Sequence, residues 1–219
     1  MMASRATSAF ACPGAELLLG ESLRHAFSEV TADNLVLVNE KGEIIDGGPM
    51  INSAGFYIHA AIHHARPDVN CAAHTHPPAG SAFSALGSLI EPLDQTCCSF
   101  YDDHAVYDSY TGIVLDEKQA QEIVDALGSK RALILKNHGL LTAAGTVEQA
   151  LLDMLDMERS CWINLRAMAT GRPLHTVPPE AARQARSVLS QPMRYPFQWG
   201  AVIRDLNRYE TDYDPTMGK

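Results

Sequence analysis

The chain has 219 residues, 46% of them hydrophobic and 20% charged, with a formal net charge of −9. That length and balance predict one globular domain over 1–219 with a substantial core, and the acidic surplus, without any Lys/Arg cluster, excludes nucleic acid as a main partner. No apolar run approaches the roughly eighteen residues of a membrane span. The opening stretch MMASRATSAFACPGAELLLG lacks the apolar core and cleavage site of a secretory signal, so a cytoplasmic protein with no membrane partner is expected.

In chain order, residues 13–30 carry apolar residues at mixed spacing and read as helical, with Gly14 and Gly20 weakening the pattern. A strand over 35–38 and a hairpin-like turn at 40–43 lead to Ile44 and Ile45. A helix over 53–65 has Asn52 or Ser53 as its cap and is stopped by Arg66-Pro67-Asp68. A buried strand over 69–74 follows, then a loop HTHPPAG and a short helix over 81–86. Residues 89–110 are mixed, with a strand at 105–107. Asp116 caps a helix that runs to Leu127 and ends at Gly128. A strand over 132–136, a turn Asn137-His138-Gly139, a strand over 140–142 and a long helix over 146–169 complete an alternation that predicts an α/β layer architecture. The tail, 178–219, holds a helix at 180–189, and its aromatic Tyr195, Phe197 and Trp199 predict docking on the body or on a neighbouring subunit.

Two strand ends carry the chemistry. Residues i and i+2 of a strand point the same way, so His74 and His76 can converge on one point, and His138, just past a second buried strand, can complete a face of ligands. Three neutral imidazoles with an open position are a usual catalytic zinc set, and iron(II), nickel or cobalt accept the same donors. Ligands collect beyond the carboxyl ends of strands in open α/β sheets, which is where both runs deliver their histidines. The five cysteines, with Cys97 and Cys98 adjacent, form neither a disulfide framework nor a metal knuckle and are expected to be reduced thiols, Cys71 in the core.

Residues 35 to about 170 resemble the class II aldolase/adducin family. The matching text is INSAGFYIHAAIHHARPDVNCAAHTHPPAGSAFSALG, FYDDHAVYDSYTGIVLDE and LILKNHGLLTAAGTVEQALLDMLDMERSCWINLRAMA. The resemblance implies a three-layer αβα sandwich around a mixed, largely antiparallel sheet, zinc held by His74, His76 and His138, and a homo-tetramer. It also implies a lyase-like enzyme that stabilises an enolate or enediolate on a small carbonyl substrate, with retro-aldol cleavage, decarboxylation, dehydration and epimerisation all open.

The chain departs from the sugar-phosphate aldolases of the family at the expected acid/base carboxylate, four positions before His59, which is Gly55, and a glycine cannot move a proton. It also lacks a Gly-rich phosphate segment in 1–30, an atypical amino end. Asn52, Ser53 and Gly55 are candidate substrate-binding residues. Tyr101, Asp102 and His104 are candidate catalytic residues, His104 as a base because imidazole titrates near neutrality, set against a plain solvated YDDH loop. His59 reads as a buried structural histidine, with His63 and His64 near the solvent edge. A ferrous-iron oxygenase on the same scaffold and a non-catalytic adducin-like interaction module are the alternative functions.

Overall fold

The computed structural model describes residues 6–11, 17–21, 29–48 and 50–209. Among the described residues eight strands form one sheet in the order β4-β3-β2-β1-β5-β8-β7-β6. They are β1 (Ala6–Ala11), β2 (Leu17–Glu21), β3 (Leu35–Asn39), β4 (Ile44–Asp46), β5 (Cys71–Thr75), β6 (His104–Tyr107), β7 (Ala132–Leu135) and β8 (Gly139–Ala144). All neighbouring pairs are antiparallel except β6 with β7.

The amino end departs from the sequence reading. Residues 17–21, expected within a helix, form β2, and β1 joins β2 to β5, so this segment is built into the middle of the sheet. The short apolar run Leu17-Leu18-Leu19 fits a buried strand as readily as a helix, and strand pairing on both sides decides it. The remainder of the expected 13–30 helix lies outside the described residues, apart from 29 and 30.

The helix α1 (Ser53–Ala65) opens at Asn52, whose side chain accepts the Gly55 amide at 3.3 Å. It ends at Arg66, whose guanidinium binds Asp68 and the carbonyls of Gly128 and Lys130, so the Arg-Pro-Asp stop also ties the helix to the next layer element. The helix α2 (Pro78–Ser84) starts three residues before the expected 81, because Pro78 occupies a first-turn position that needs no N–H. A one-turn α3 (Gln95–Cys98) precedes β6. Asp116 and Thr146 cap α4 (Glu117–Leu127) and α5 (Val147–Met168) through their side-chain oxygens.

Alternation along β7 divides two cores. Leu133 and Leu135 face α1 and α4 with Ile58, Ile62, Ile123 and Leu127. Ala132 and Ile134 face α2, α3 and α5 with Phe83, Phe100, Met154 and Met157. Helices on both faces of a mixed, largely antiparallel sheet make the αβα sandwich. Met154 and Met157 are core, whereas Trp162 on the same helix is 54% exposed beneath Arg166.

After α6 (Pro179–Leu189) the chain forms α7 (Arg194–Tyr209), where the sequence reading has an aromatic segment and polar residues but no helix. Pro196 falls in its first turn, where no helical amide is lost. The expected aromatic docking occurs within the same chain: Tyr195 is buried, accepting from Arg131 at 3.0 Å and donating to Asp153 at 3.2 Å. Phe197 stays exposed and Trp199 is half-buried. Cys71, Cys97, Cys98 and Cys161 are free and buried, and burial pushes the Cys71 thiol up to about 12.

Candidate metal centre

β5 and β7 each run antiparallel to the β8 strand between them, so both deliver their carboxyl ends to the same edge of the sheet. His74 lies inside β5, His76 just beyond it, and His138 in the turn between β7 and β8. His74 Nε2 is 2.9 Å from His76 Nε2 and 3.3 Å from His138 Nε2. Among the described residues no other His, Cys, Asp and Glu side chains gather three or more donors in this way.

The turn has special backbone needs. Asn137 takes φ 56°, a left-handed conformation that asparagine tolerates, and its amide donates to Ser84 O at 3.3 Å. A Cβ on Gly139 would stand 2.5 Å from Thr75 O and 2.7 Å from His76 Cδ2. Only a residue without a side chain lets the two histidine-bearing loops close on each other.

The donor set fits a divalent cation. His74 Nδ1–H donates to Leu140 O at 2.8 Å, which leaves the Nε2 lone pair aimed at the other two rings. Burial and the neighbouring His138 and His76 rings hold His74 well below its ordinary 6.5, and burial with His76 brings His138 to about 4. At neutral pH His74 and His138 are therefore neutral imidazoles, as metal binding requires. Depressed folded values mean that the unfolded chain binds these protons first. Stability of the metal-free protein is therefore expected to be full above about 6.5 and to fall as pH drops toward about 4. Thermal midpoints across that window, flatter in a His74→Phe/His138→Phe variant, check this.

The other residues singled out in the sequence scatter. Asn52 caps α1, and Ser53 and Gly55 form its first turn. Asn52's oxygen is engaged in the cap. His59 is buried and near enough to His74 to depress it further. His63 Nδ1 bonds Val69 O at 3.0 Å, and His64 is exposed.

Tyr101, Asp102 and His104 are not brought to the cluster. His104 pairs with Ala132 at the start of β7, the end opposite His138. Its Nδ1–H donates to Phe100 O at 2.6 Å while Nε2 accepts from Ile90 N at 2.9 Å, so both nitrogens are engaged, and burial lowers its pKa. Tyr101 O accepts from Arg186 at 2.9 Å, and Asp102 pairs with Arg183 at 3.5 Å. The YDDH loop anchors α6.

Sequence reasoning missed Tyr110. Its ring lies 6.5 Å from that of His138, and with Tyr107, Ser109, Thr111 and Gln119 it lines an open recess beside that histidine. The available signal was its position, a polar aromatic segment leaving the carboxyl end of β6, the strand parallel to β7.

Residues 7–165 match the family model described as Class II Aldolase and Adducin N-terminal domain. The chain belongs to the class II aldolase/adducin family. The match starts in β1, so this family domain includes the amino-terminal strands that the sequence reading set apart. Among curated relatives, the decarboxylase NovR of Streptomyces niveus is 40% identical over 74% of the chain and 60% of its own length. The 4-hydroxy-3-prenylphenylpyruvate oxygenase/4-hydroxy-3-prenylbenzoate synthase of Streptomyces roseochromogenus subsp. oscitans is 39% identical over 90% of the chain and 68% of its own length. A crystal structure of an aldolase II superfamily protein from Pseudomonas syringae superposes with a TM-score of 0.87 at 36% identity, covering 95% of this chain and 85% of that one. The expected family and αβα fold are thus borne out. Among the described residues no helix is long and apolar enough to cross a membrane.

Proposed function

We propose that this class II aldolase/adducin protein is a divalent-metal-dependent lyase that breaks a carbon–carbon bond next to a carbonyl, with decarboxylation of a small carbonyl acid as the leading reaction. The observation that carries the reading is the convergence of three Nε2 atoms at one sheet edge, with no carboxylate among them. His74, His76 and His138 would hold the ion, zinc first. A bound divalent ion supplies a Lewis acid for a substrate oxygen. Leu140 O keeps His74 in the ligating tautomer, and the turn at Gly139 keeps His76 and His138 facing each other.

Proton transfer falls to Tyr110 in this reading, since Gly55 has no group to offer and His104 lies at the far end of the sheet. The similarity to a decarboxylase favours loss of carbon dioxide over aldol cleavage. The similarity to an oxygenase/synthase over 90% of the chain favours a second reading, oxidative decarboxylation with iron(II) at the same histidines.

The test is elemental analysis of anaerobically purified protein beside a His74→Ala/His76→Ala/His138→Ala variant, followed by carbon dioxide release from 3-oxo acids, whose decarboxylation leaves an enolate, and oxygen uptake with 2-oxo and 2-hydroxy acids. Near-stoichiometric zinc lost in the variant, with carbon dioxide released without oxygen, is expected. Tyr110→Phe should keep the metal and lose about a hundredfold in turnover. Iron with oxygen uptake selects the second reading. No metal retained or taken up overturns both and leaves an adducin-like interaction module.

A further inference from the structure

The histidine loop is held from outside by one face of α5. Immediately after His76 come Pro77 and Pro78, neither of which has an N–H, so the loop's next backbone donors are Ala79 and Gly80. Glu158 takes both: Oε1 accepts from Ala79 N at 2.9 Å and Oε2 from Gly80 N at 2.6 Å. Four residues earlier on the same helix face, Met154 Sδ accepts from the Thr75 hydroxyl at 3.1 Å, between the two histidines. Gly80 in turn lies so close to Leu140 that an added Cβ would stand 2.4 Å from its Cδ1. Leu140 is the residue whose carbonyl orients His74.

We propose that Glu158 is the positioning residue of the metal centre, acting through the backbone of the HTHPPAG loop. This rests on the reading that His74, His76 and His138 hold a metal. A carboxylate is an acceptor at both oxygens and can satisfy two adjacent amides at once, and charge-assisted bonds of this kind are the stronger ones. Without them the residues directly after His76 lose their tie to α5 and keep packing and the bond further along α2 from Asn137 N to Ser84 O, and His76, just outside β5, is released to wander from its partners. The half-buried Glu158 acts on the backbone directly after His76, so its effect is on where His76 sits.

Glu158→Gln keeps the shape but replaces one acceptor with an NH2 that faces an amide N–H. Cobalt(II) affinity of that variant is expected to fall about tenfold or more, a loss typical of outer-sphere ligand supports, with a changed cobalt visible spectrum. Glu158→Asp, an acceptor at both oxygens but one methylene shorter, should recover part of the affinity. Tyr195→Phe is the control, because it loosens α7 from Asp153, a residue of α5 that does not hold the 79 and 80 amides, and should lower the thermal midpoint without moving cobalt affinity. Hydrogen exchange supplies a metal-free readout: amides of residues 79 and 80 should exchange at least tenfold faster in Glu158→Gln, with β8 unchanged. Unchanged exchange, or cobalt affinity within twofold of the parent, overturns the proposal, as does an equal affinity loss in Tyr195→Phe. A parent that binds no cobalt overturns the metal reading instead, and exchange alone then decides whether Glu158 holds the loop.

Discussion

Arg131→Met is expected to lower the free energy of unfolding by about 3–5 kcal/mol, the usual consequence of stripping one partner from a buried ion pair. Arg131 is 7% exposed and Asp153 1% exposed, and they meet at 2.7 Å. The same guanidinium binds Asp103 at 2.9 Å, the Ser99 carbonyl and the Tyr195 hydroxyl. One side chain therefore joins the start of β7, the loop before β6, α5 and α7. Methionine fills much of the volume but leaves Asp153 as a buried carboxylate whose charge-balancing partner has gone.

The pH dependence identifies this cause. Burial already raises the Asp153 carboxyl above its ordinary value, opposed by Arg131, and removing the arginine raises it further. A carboxyl with a raised folded value stabilises the fold below its unfolded pKa and loses that contribution as pH rises through the folded one. The deficit of Arg131→Met should thus be smallest in acid and grow toward neutrality. Denaturant unfolding at several pH values measures it. Arg131→Met/Asp153→Leu should recover a large part of the loss at neutral pH, and a deficit independent of pH would refute the buried-charge account. Because Arg131 lies at the opposite end of β7 from His138, metal content should hold in whichever variants remain folded.

The legible parts of this chain are those where local chemistry and tertiary contacts agree. The boundaries of α1 and α4 follow from Asn52, Asp116 and Gly128, residues whose short side chains or positive φ act within one turn of where they stand. His74 and His76 were legible because strand period is a local rule, and His138 because it closes a buried strand. The amino-terminal strands were not, since Leu17–Glu21 declares itself only through pairing with β1 and β3, partners remote from the spacing of its own residues. His104 shows the converse case. Its composition resembles a catalytic cluster, but the parallel pairing of β6 with β7 starts the strand at the far end of the sheet, a fact of topology that no motif encodes. Tyr110 was passed over for the same reason, because its nearness to His138 comes from that parallel pairing carrying the exit of β6 to the histidine edge.

Gly139→Ala is expected to disable the metal centre while leaving a folded protein. The added carbon would meet Thr75 O at 2.5 Å, a backbone atom of the neighbouring strand, and His76 Cδ2 at 2.7 Å. Neither separation is sustainable, and the backbone carbonyl cannot swing away without breaking the ladder between β5 and β8, so the His76 ring and the 136–138 turn must move apart. Overpacking of this size costs about 1–3 kcal/mol, below the 5–15 kcal/mol that holds a typical domain together. Ligand geometry tolerates far less, and cobalt affinity should fall by about a hundredfold, the upper range for lost support around a ligand. Gly145→Ala separates the two effects, since its Cβ would find only Asp68 O at 3.7 Å, an ordinary contact. It should bind cobalt like the parent. Isothermal titration with cobalt(II), read beside thermal midpoints, distinguishes a displaced ligand from a general loss of structure. Parent-like affinity in Gly139→Ala would mean that His76 can move without consequence, and would remove it from the ligand set.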